Sequence, residues 1–325
     1  MTHVPTATDP TATPAAPLGD LGRLVLGGNV FGWTADRAAS FAVLDAFVAA
    51  GGRAIDTADA YSSWVPGHVG GESESIIGEW LAANGARDEV VLCTKVAKHP
   101  DLRGLAPSVV ERALTASLRR LRTDSIDLYY AHEDDPALDP DVIAATLAGT
   151  VIDGRVRALG LSNFPADRLR AVVGAAHDAG LPAPAYSQDR YSLVERGLET
   201  TLVPTLLDLG VVELPFHSLA AGFLTGKYRL GAEDADSPRS ATAAGYLARP
   251  GAHRLLAVLD GIAADAGVPV AAVALAWLRE QPGVGAPIAS ARSVEQLEAL
   301  TASFALVLGE RELADLTAAS DALDG

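Results

Sequence analysis

The sequence predicts an α/β fold, a (β/α)8 TIM barrel with a long loop after its seventh strand and an extra helix at its C-terminus. Three observations predict it. Short apolar runs alternate with amphipathic stretches eight times over, and strands that alternate with helices build a parallel sheet. No composition break separates the repeats, and 325 residues are somewhat more than the ~250 typical of such a barrel. No G-x-G-x-x-G follows the first strand, so the dinucleotide fingerprint of the rival doubly wound sheet is missing.

The elements follow in order. Leu21 to Gly28 reads as a first strand running into a tight loop at Gly27-Gly28. Between Asp36 and Ala50, Phe41, Leu44, Phe47 and Val48 recur at helical spacing, and Gly51-Gly52 stops the helix. Arg53 to Asp56 is a second strand, apolar up to its terminal carboxylate, and a loop with Pro66, Gly67, Gly70 and Gly71 follows from Tyr61. Glu72 to Ala83 is a helix with acidic first-turn residues and an Ile76/Ile77/Trp80/Leu81 face. Val90 to Lys95 is the third strand; Pro107 then suits a first helical position ahead of Val110, Leu114, Leu118 and Leu121. Ile126 to His132 is the fourth strand, and Asp139-Pro140 reads as the N-cap and first turn of the helix carrying Ile143, Leu147 and Val151. Val156 to Leu161 and Ala183 to Gln188 are strands five and six, followed by helices with Leu169, Val172 and Val173 and from Leu198 to Leu209. Val211 to Phe216 is the seventh strand. The connection from His217 to about Gly251 is long enough to belong with functional lids and binding loops. Helices from Ala252 to Ala266 and Val270 to Arg279, a strand from Val284 to Ile288, a helix from Ser293 to about Ser303 and a terminal helix from Glu310 to Ala322 complete the chain.

Residues 1–19, Thr/Pro/Ala-rich from Thr2 to Pro17 and without the basic and apolar regions of a secretory signal, read as a flexible tail; 20–325 read as one barrel domain. A hydrophobic content of 49% supports a large core. A net charge of −16 argues against nucleic acid or an anionic membrane as the main partner, while leaving room for one basic pocket. No apolar run is long enough to span a bilayer. The single cysteine, Cys93, cannot form an internal disulfide, and no metal-ligand spacing surrounds it, which fits a reducing cytoplasm. Nothing in the sequence sets the oligomeric state.

Three successive strands end in reactive side chains: Asp56, with Tyr61 on the following loop, then Lys95, then His132. In a barrel these ends share one rim, where active sites sit. Taken singly, Asp56 could cap a turn, Lys95 could snorkel out of the barrel end, and His132 could pair with Glu133, Asp134 or Asp135. Taken jointly, a carboxylate, a phenol, an ammonium and an imidazole at neighbouring rim positions are the parts of an acid–base site.

Asp56-Thr57-Ala58 with Tyr61, Thr94-Lys95, Asp127-Leu128-Tyr129-Tyr130-Ala131-His132, Gly160-Leu161-Ser162-Asn163-Phe164 and Leu224-Thr225-Gly226-Lys227-Tyr228 together carry a resemblance. From Leu21 onward the chain resembles the aldo-keto reductase superfamily, and Gly70 to Gly78 resembles its prokaryotic, potassium-channel-β-like branch. The resemblance implies an NADPH-dependent oxidoreductase that moves a hydride onto an aldehyde, ketone or sugar carbonyl. Tyr61 would be the general acid. Its ordinary pKa of about 10 would be lowered by the Lys95 ammonium, itself held by Asp56, while His132 would orient and polarise the carbonyl.

The same resemblance implies NADP(H) bound on the barrel. Gly28 would belong to that cofactor site, with Ser162, Asn163 and Gln188 at the carboxamide and Phe216 stacked on the nicotinamide. Ser218, Leu219, Gly222, Leu224 and Lys227 would lie along the pyrophosphate. Ser290, Arg292 and Gln296 would hold the adenosine phosphate, with Arg292 matched to a ribose 2′-phosphate by its guanidinium geometry. Two departures stand out: Ala289-Ser290 where many relatives carry Pro-Gly, and Leu300 where many carry Asn. Trp33 and Trp64, with His99 and the loop after strand seven, are candidates for the wall of a pocket for a small carbonyl substrate. Two other classes remain at this point: a cofactor-sensing regulatory protein resembling channel β-subunits, and a Schiff-base lyase with Lys95 as nucleophile.

Overall fold

The computed structural model describes residues 17–228 and 240–324. Eight parallel strands form its sheet: β1 Val25–Gly27, β2 Ala54–Asp56, β3 Val91–Val96, β4 Ile126–Ala131, β5 Val156–Ser162, β6 Tyr186–Gln188, β7 Val212–Glu213 and β8 Ile288–Ala289. Each pairs with its neighbours in chain order, and β1 pairs with β8. The ring closes between β7 and the segment before β8. There Glu213 bridges Val284, Gly285 N–H donates to Glu213 O at 2.8 Å, and Ile288 N–H donates to Pro215 O at 2.8 Å.

The helices are α1 Arg37–Ala49, α2 Glu72–Asn84, α3 Pro107–Leu121, α4 Pro140–Ile152, α5 Ala166–Asp178, α6 Leu202–Leu209, α7 Ser240–Leu247, α8 Ala252–Ala266, α9 Val270–Arg279, α10 Val294–Thr301 and α11 Glu310–Asp321. Asp36 caps α1 by accepting from Ala39 N–H at 2.9 Å, and Pro107 and Pro140 open α3 and α4 as expected. Among the described residues no single helix is long and apolar enough to cross a membrane.

Strand periodicity divides the core in two. Val25, Ala54, Cys93, Leu128, Tyr130, Ala158, Tyr186, Val212 and Leu214 meet inside the barrel. Their neighbours Leu26, Ile55, Leu92, Tyr129, Leu159 and Leu161 face outward onto the helices. Two glycines are demanded by close packing. A Cβ on Gly160 would lie 2.3 Å from the Tyr130 ring that fills the barrel, and one on Gly78 would lie 2.1 Å from Arg120 O, where α2 meets α3.

Several expectations need correction. The first and sixth strands are shorter than the apolar runs, and the eighth is displaced to Ile288–Ala289, because only residues aligned with both neighbours complete a ladder. The sixth helix splits into a 3-10 turn, Gly197–Thr200, and α6. Asp139 sits at its cap position without accepting a side-chain bond. The connection after β7 is not structureless: it holds a 3-10 stretch, Ala220–Thr225, and α7, while its residues 229–239 lie outside the described residues. A hairpin pairing Lys98–His99 with Leu102–Arg103 was not foreseen. Of the supposed tail, residues 1–16 lie outside the described residues; its end is pinned where Leu18 N–H donates to the Tyr186 hydroxyl at 3.1 Å.

Candidate active site

Two residues beyond an inward apolar residue, the same face of each strand reaches the barrel's C-terminal rim. Asp56 follows Ala54, Lys95 follows Cys93, His132 follows Tyr130 and Gln188 follows Tyr186. The expected four residues meet there. Lys95 Nζ donates to Asp56 Oδ2 at 2.6 Å, to Thr57 O at 2.7 Å and to the Tyr61 hydroxyl at 3.3 Å. The Tyr61 and His132 rings stand edge to face with centroids 5.8 Å apart. Gln188 Nε2 donates to the other Asp56 oxygen at 3.0 Å.

Lys95 has no exposed surface, and Asp56 is 2% exposed. Burial works against the ammonium, but the Asp56 carboxylate and the Tyr61 phenol outweigh it and raise the Lys95 pKa. A Schiff-base lysine needs the opposite shift, so this geometry does not suit Lys95 as a nucleophile. His132 moves the other way. Burial, then the Lys95 and Lys98 ammonium groups, push it well below its usual range, so it is a neutral imidazole. Its Nδ1 has no hydrogen-bond partner among the described residues.

A second tier holds the rim. Asn163, at φ +58°, donates through Nδ2 to His132 O and to Ser162 Oγ, both at 2.9 Å, and Ser162 Oγ donates to Gln188 O at 2.7 Å. Asn163 N–H donates to Asp189 Oδ1, and Asp189 N–H to Glu213 Oε1 at 2.8 Å. Asp189 and Glu213 are two buried acids, and among the described residues neither forms an ion pair. Burial pushes Asp189 up to about 6, and burial together with the Asp189 charge raises Glu213 well above its usual value. The proton on Glu213 has a stability consequence. With a folded pKa above the unfolded one, its stabilising effect is complete below the unfolded pKa and lost as pH rises toward the folded pKa. Glu213→Gln, which needs no proton, is therefore expected to match the wild type near pH 4. It should gain on it at higher pH, at up to about 1.4 kcal/mol per unit. Urea unfolding at several pH values checks this; a constant difference between the two proteins would refute it.

A cavity of about 610 Å³ opens from this rim. Asp56, Tyr61, Gln188, Phe216 and Trp33 line one part of it; Ser290, Arg292, Gln296 and Leu300 line another; Ser218, Leu219, Gly222 and Lys227 also lie on its wall. Positive φ recurs at His217, Ala220, Ala221 and Gly222 along that wall. The Ser218 hydroxyl bonds Pro215 O and Ile288 O, so it braces β7 against β8. The Arg292 guanidinium has no carboxylate partner among the described residues, whereas its backbone N–H donates to Gln296 Oε1 at 3.0 Å.

Not every expected residue reaches the cavity. Leu224 is fully buried with Phe223 and Tyr246 under the loop. Gly28 lies beneath, its N–H bonded to Asp56 O and its carbonyl to Ser73 Oγ. His99 packs against Gly70 instead of facing the cavity. Trp64, 49% exposed, stands edge to face with both Trp33 and Tyr61 at 5.5 and 5.7 Å. Sequence reading passed over Arg190 and Asn29, which line the cavity and which no local motif marks, and gave no role to Thr57, whose carbonyl anchors Lys95.

Fold and rim together define an oxidoreductase-type barrel, with a tyrosine hydroxyl backed by a buried ion pair beside a long cavity. The profile of the Aldo/keto reductase family matches residues 23–321. The chain is 35% identical to the uncharacterized oxidoreductase YrpG of Bacillus subtilis, over 85% of this chain and 85% of the relative. It is 31% identical to the aldo-keto reductase YhdN of the same organism, over 91% and 87%. It is also 31% identical to norsolorinic acid reductase B of Aspergillus parasiticus, over 90% and 78%. This chain belongs to the aldo/keto reductase family, whose members are oxidoreductases that reduce small carbonyl compounds with nicotinamide cofactors.

Proposed function

We propose that the protein is an NADPH-dependent reductase of aldehyde and ketone carbonyls, sugar carbonyls among them, with Tyr61 as general acid. The observation that carries this is the buried Asp56–Lys95 pair placed 3.3 Å behind the Tyr61 hydroxyl. Bound NADPH supplies the hydride. The chain's own residues handle the proton. As negative charge develops on the carbonyl oxygen, Tyr61 gives up its phenolic hydrogen, and the fixed Lys95 ammonium stabilises the phenolate left behind. Neutral His132 carries a single ring N–H, and with that hydrogen on Nε2 it donates to the same oxygen.

The donor set fits the cofactor. Gln188 offers an amide for a carboxamide and Phe216 a flat face, both on the cavity wall, while Ser162 and Asn163, which do not line the cavity, brace Gln188 and His132 from behind. Three basic side chains, Arg190, Lys227 and Arg292, line the cavity of a chain whose net charge is −16. Arg292 takes the ribose 2′-phosphate. Arg292→Ala is expected to weaken NADPH binding about 10- to 100-fold, the loss of a charge-assisted bidentate contact, and to leave NADH binding within about twofold. Titration of cofactor fluorescence reads both; equal losses for the two cofactors would remove Arg292 from the phosphate.

NADPH consumption against a panel of aldehydes, ketones and keto sugars tests the whole reading. Turnover that depends on Tyr61 supports it. Tight NADPH binding without turnover on any carbonyl would overturn it in favour of a cofactor sensor.

A further inference from the structure

Glu72 opens α2, yet its carboxylate points back along the chain. Oε2 accepts from Ser62 N–H at 3.1 Å and from Gly70 N–H at 3.0 Å, and Oε1 accepts from Val69 N–H at 2.8 Å. One side chain therefore joins both ends of the loop that follows Tyr61. Beside it, Gly71 N–H and Ser73 N–H donate to Tyr61 O at 2.8 and 3.4 Å. Burial acts to raise the Glu72 pKa, but the backbone N–H groups prevail and lower it, so the clip is an ionised carboxylate at neutral pH.

The clip matters because of what the loop carries. Tyr61 begins it, and the residues to Gly71 form no helix or strand. On its loop side the Tyr61 ring leans on Trp64, which belongs to the same loop and is 49% exposed. Trp64 in turn meets Trp33 outside the loop, edge to face at 5.5 Å, a contact between rings that does not hold the loop backbone. Lys95, in contrast, is held by β3 and by Asp56. The loop backbone that carries Tyr61 toward that ammonium is tied to α2.

We propose that Glu72 is a positioning residue for the general acid, holding the Tyr61 backbone so that the phenol stays on Lys95. The proposal rests on Tyr61 being the proton donor. Glu72→Ala removes all the acceptors. Glu72→Gln keeps one oxygen but sets an N–H₂ group against backbone N–H groups. Glu79→Gln, on the outer surface of the same helix where Glu79 pairs with Arg37, is the control.

The experiment measures amide hydrogen exchange across residues 62–70, kcat and KM for carbonyl reduction, and the Tyr61 phenol titration by ultraviolet absorbance against Tyr61→Phe. Both Glu72 variants should speed exchange at Ser62, Val69 and Gly70 about 10-fold or more and move the phenol titration to higher pH. They should lower kcat about 10- to 100-fold, the scale of a displacement near 1 Å, with KM for NADPH within about twofold. Glu79→Gln should change none of these. Unaltered exchange overturns the clip. Faster exchange with an unchanged phenol titration and unchanged kcat overturns the positioning role. If the wild type reduces no carbonyl, the reductase reading falls, and exchange with the phenol titration still decides for or against Glu72 as the clip that sets the phenol's place.

Discussion

Tyr61→Phe is expected to lower kcat for carbonyl reduction by about 10²- to 10⁴-fold, the range for losing a positioned general acid. The substitution removes one oxygen and leaves the ring between Trp64 and His132. Lys95 keeps its bonds to Asp56 and Thr57 O, so the ion pair survives. Stability should fall by no more than about 1 kcal/mol, the net worth of one hydrogen bond. The phenol is one group on the wall of a long cavity, so the cofactor dissociation constant should stay within about threefold. Steady-state kinetics, cofactor titration and urea unfolding on one preparation separate the three effects. A variant that retained more than a tenth of wild-type kcat would mean that the proton comes from elsewhere.

Lys95→Met should cost both activity and stability. Removing one partner of a buried ion pair leaves an uncompensated charge, at about 3–5 kcal/mol. Asp56 is 2% exposed and, among the described residues, keeps the Gln188 amide as its side-chain partner. The phenol loses the ammonium that favours its ionised form, so kcat should drop at least about 10²-fold. The double variant Lys95→Met/Asp56→Asn distinguishes the two losses. A neutral amide still accepts from Gln188 and no longer carries a buried charge. Most of the stability should return while kcat stays low. A double variant as unstable as Lys95→Met would show that shape, not charge, holds this part of the rim. Recovery of kcat would remove Lys95 from the proton-transfer path.

The barrel and the four reactive rim residues were legible for one reason. Both follow from spacing along the chain. Period-two alternation places Asp56, Lys95 and His132 on the inner face one step beyond Ala54, Cys93 and Tyr130, and parallel strands bring equivalent positions to one level. The resemblance to aldo-keto reductases added the cofactor expectations, for which the bare sequence has no periodic signal. Gly28 and Leu224 show the limit of that transfer: both lie in the right segments, yet one is tucked under β2 and the other under the loop.

What was misread involves partners far apart in sequence. The Ser240–Leu247 helix lies in a Gly-, Ala- and Ser-rich stretch with a weak local signal. It is held by Tyr246, whose hydroxyl bonds Glu195 at 2.5 Å and His217 Nε2 at 3.1 Å. Such a helix draws its stability from docking more than from propensity. The eighth strand shifts because its place depends on β7 and β1 together. Asp189 and Glu213 look like ordinary acids in sequence, and only burial, joined for Glu213 by the Asp189 charge, raises their pKa values. Glu72 looks like a first-turn acid serving the helix dipole, but its carboxylate is taken by the loop before it.

By itself, then, the sequence determined the order of strands and helices, the face each strand turns inward, and the level at which an acid, an ammonium and an imidazole gather. Those properties are set by covalent spacing and local sterics. Tertiary structure alone decided which carbonyl anchors Lys95, which amide holds Asp56 from 132 residues away, which acids have their pKa raised and which carboxylate ties down the Tyr61 loop. Each of these is a matter of who excludes water from whom, and desolvation and hydrogen bonding act across space without regard to distance along the chain.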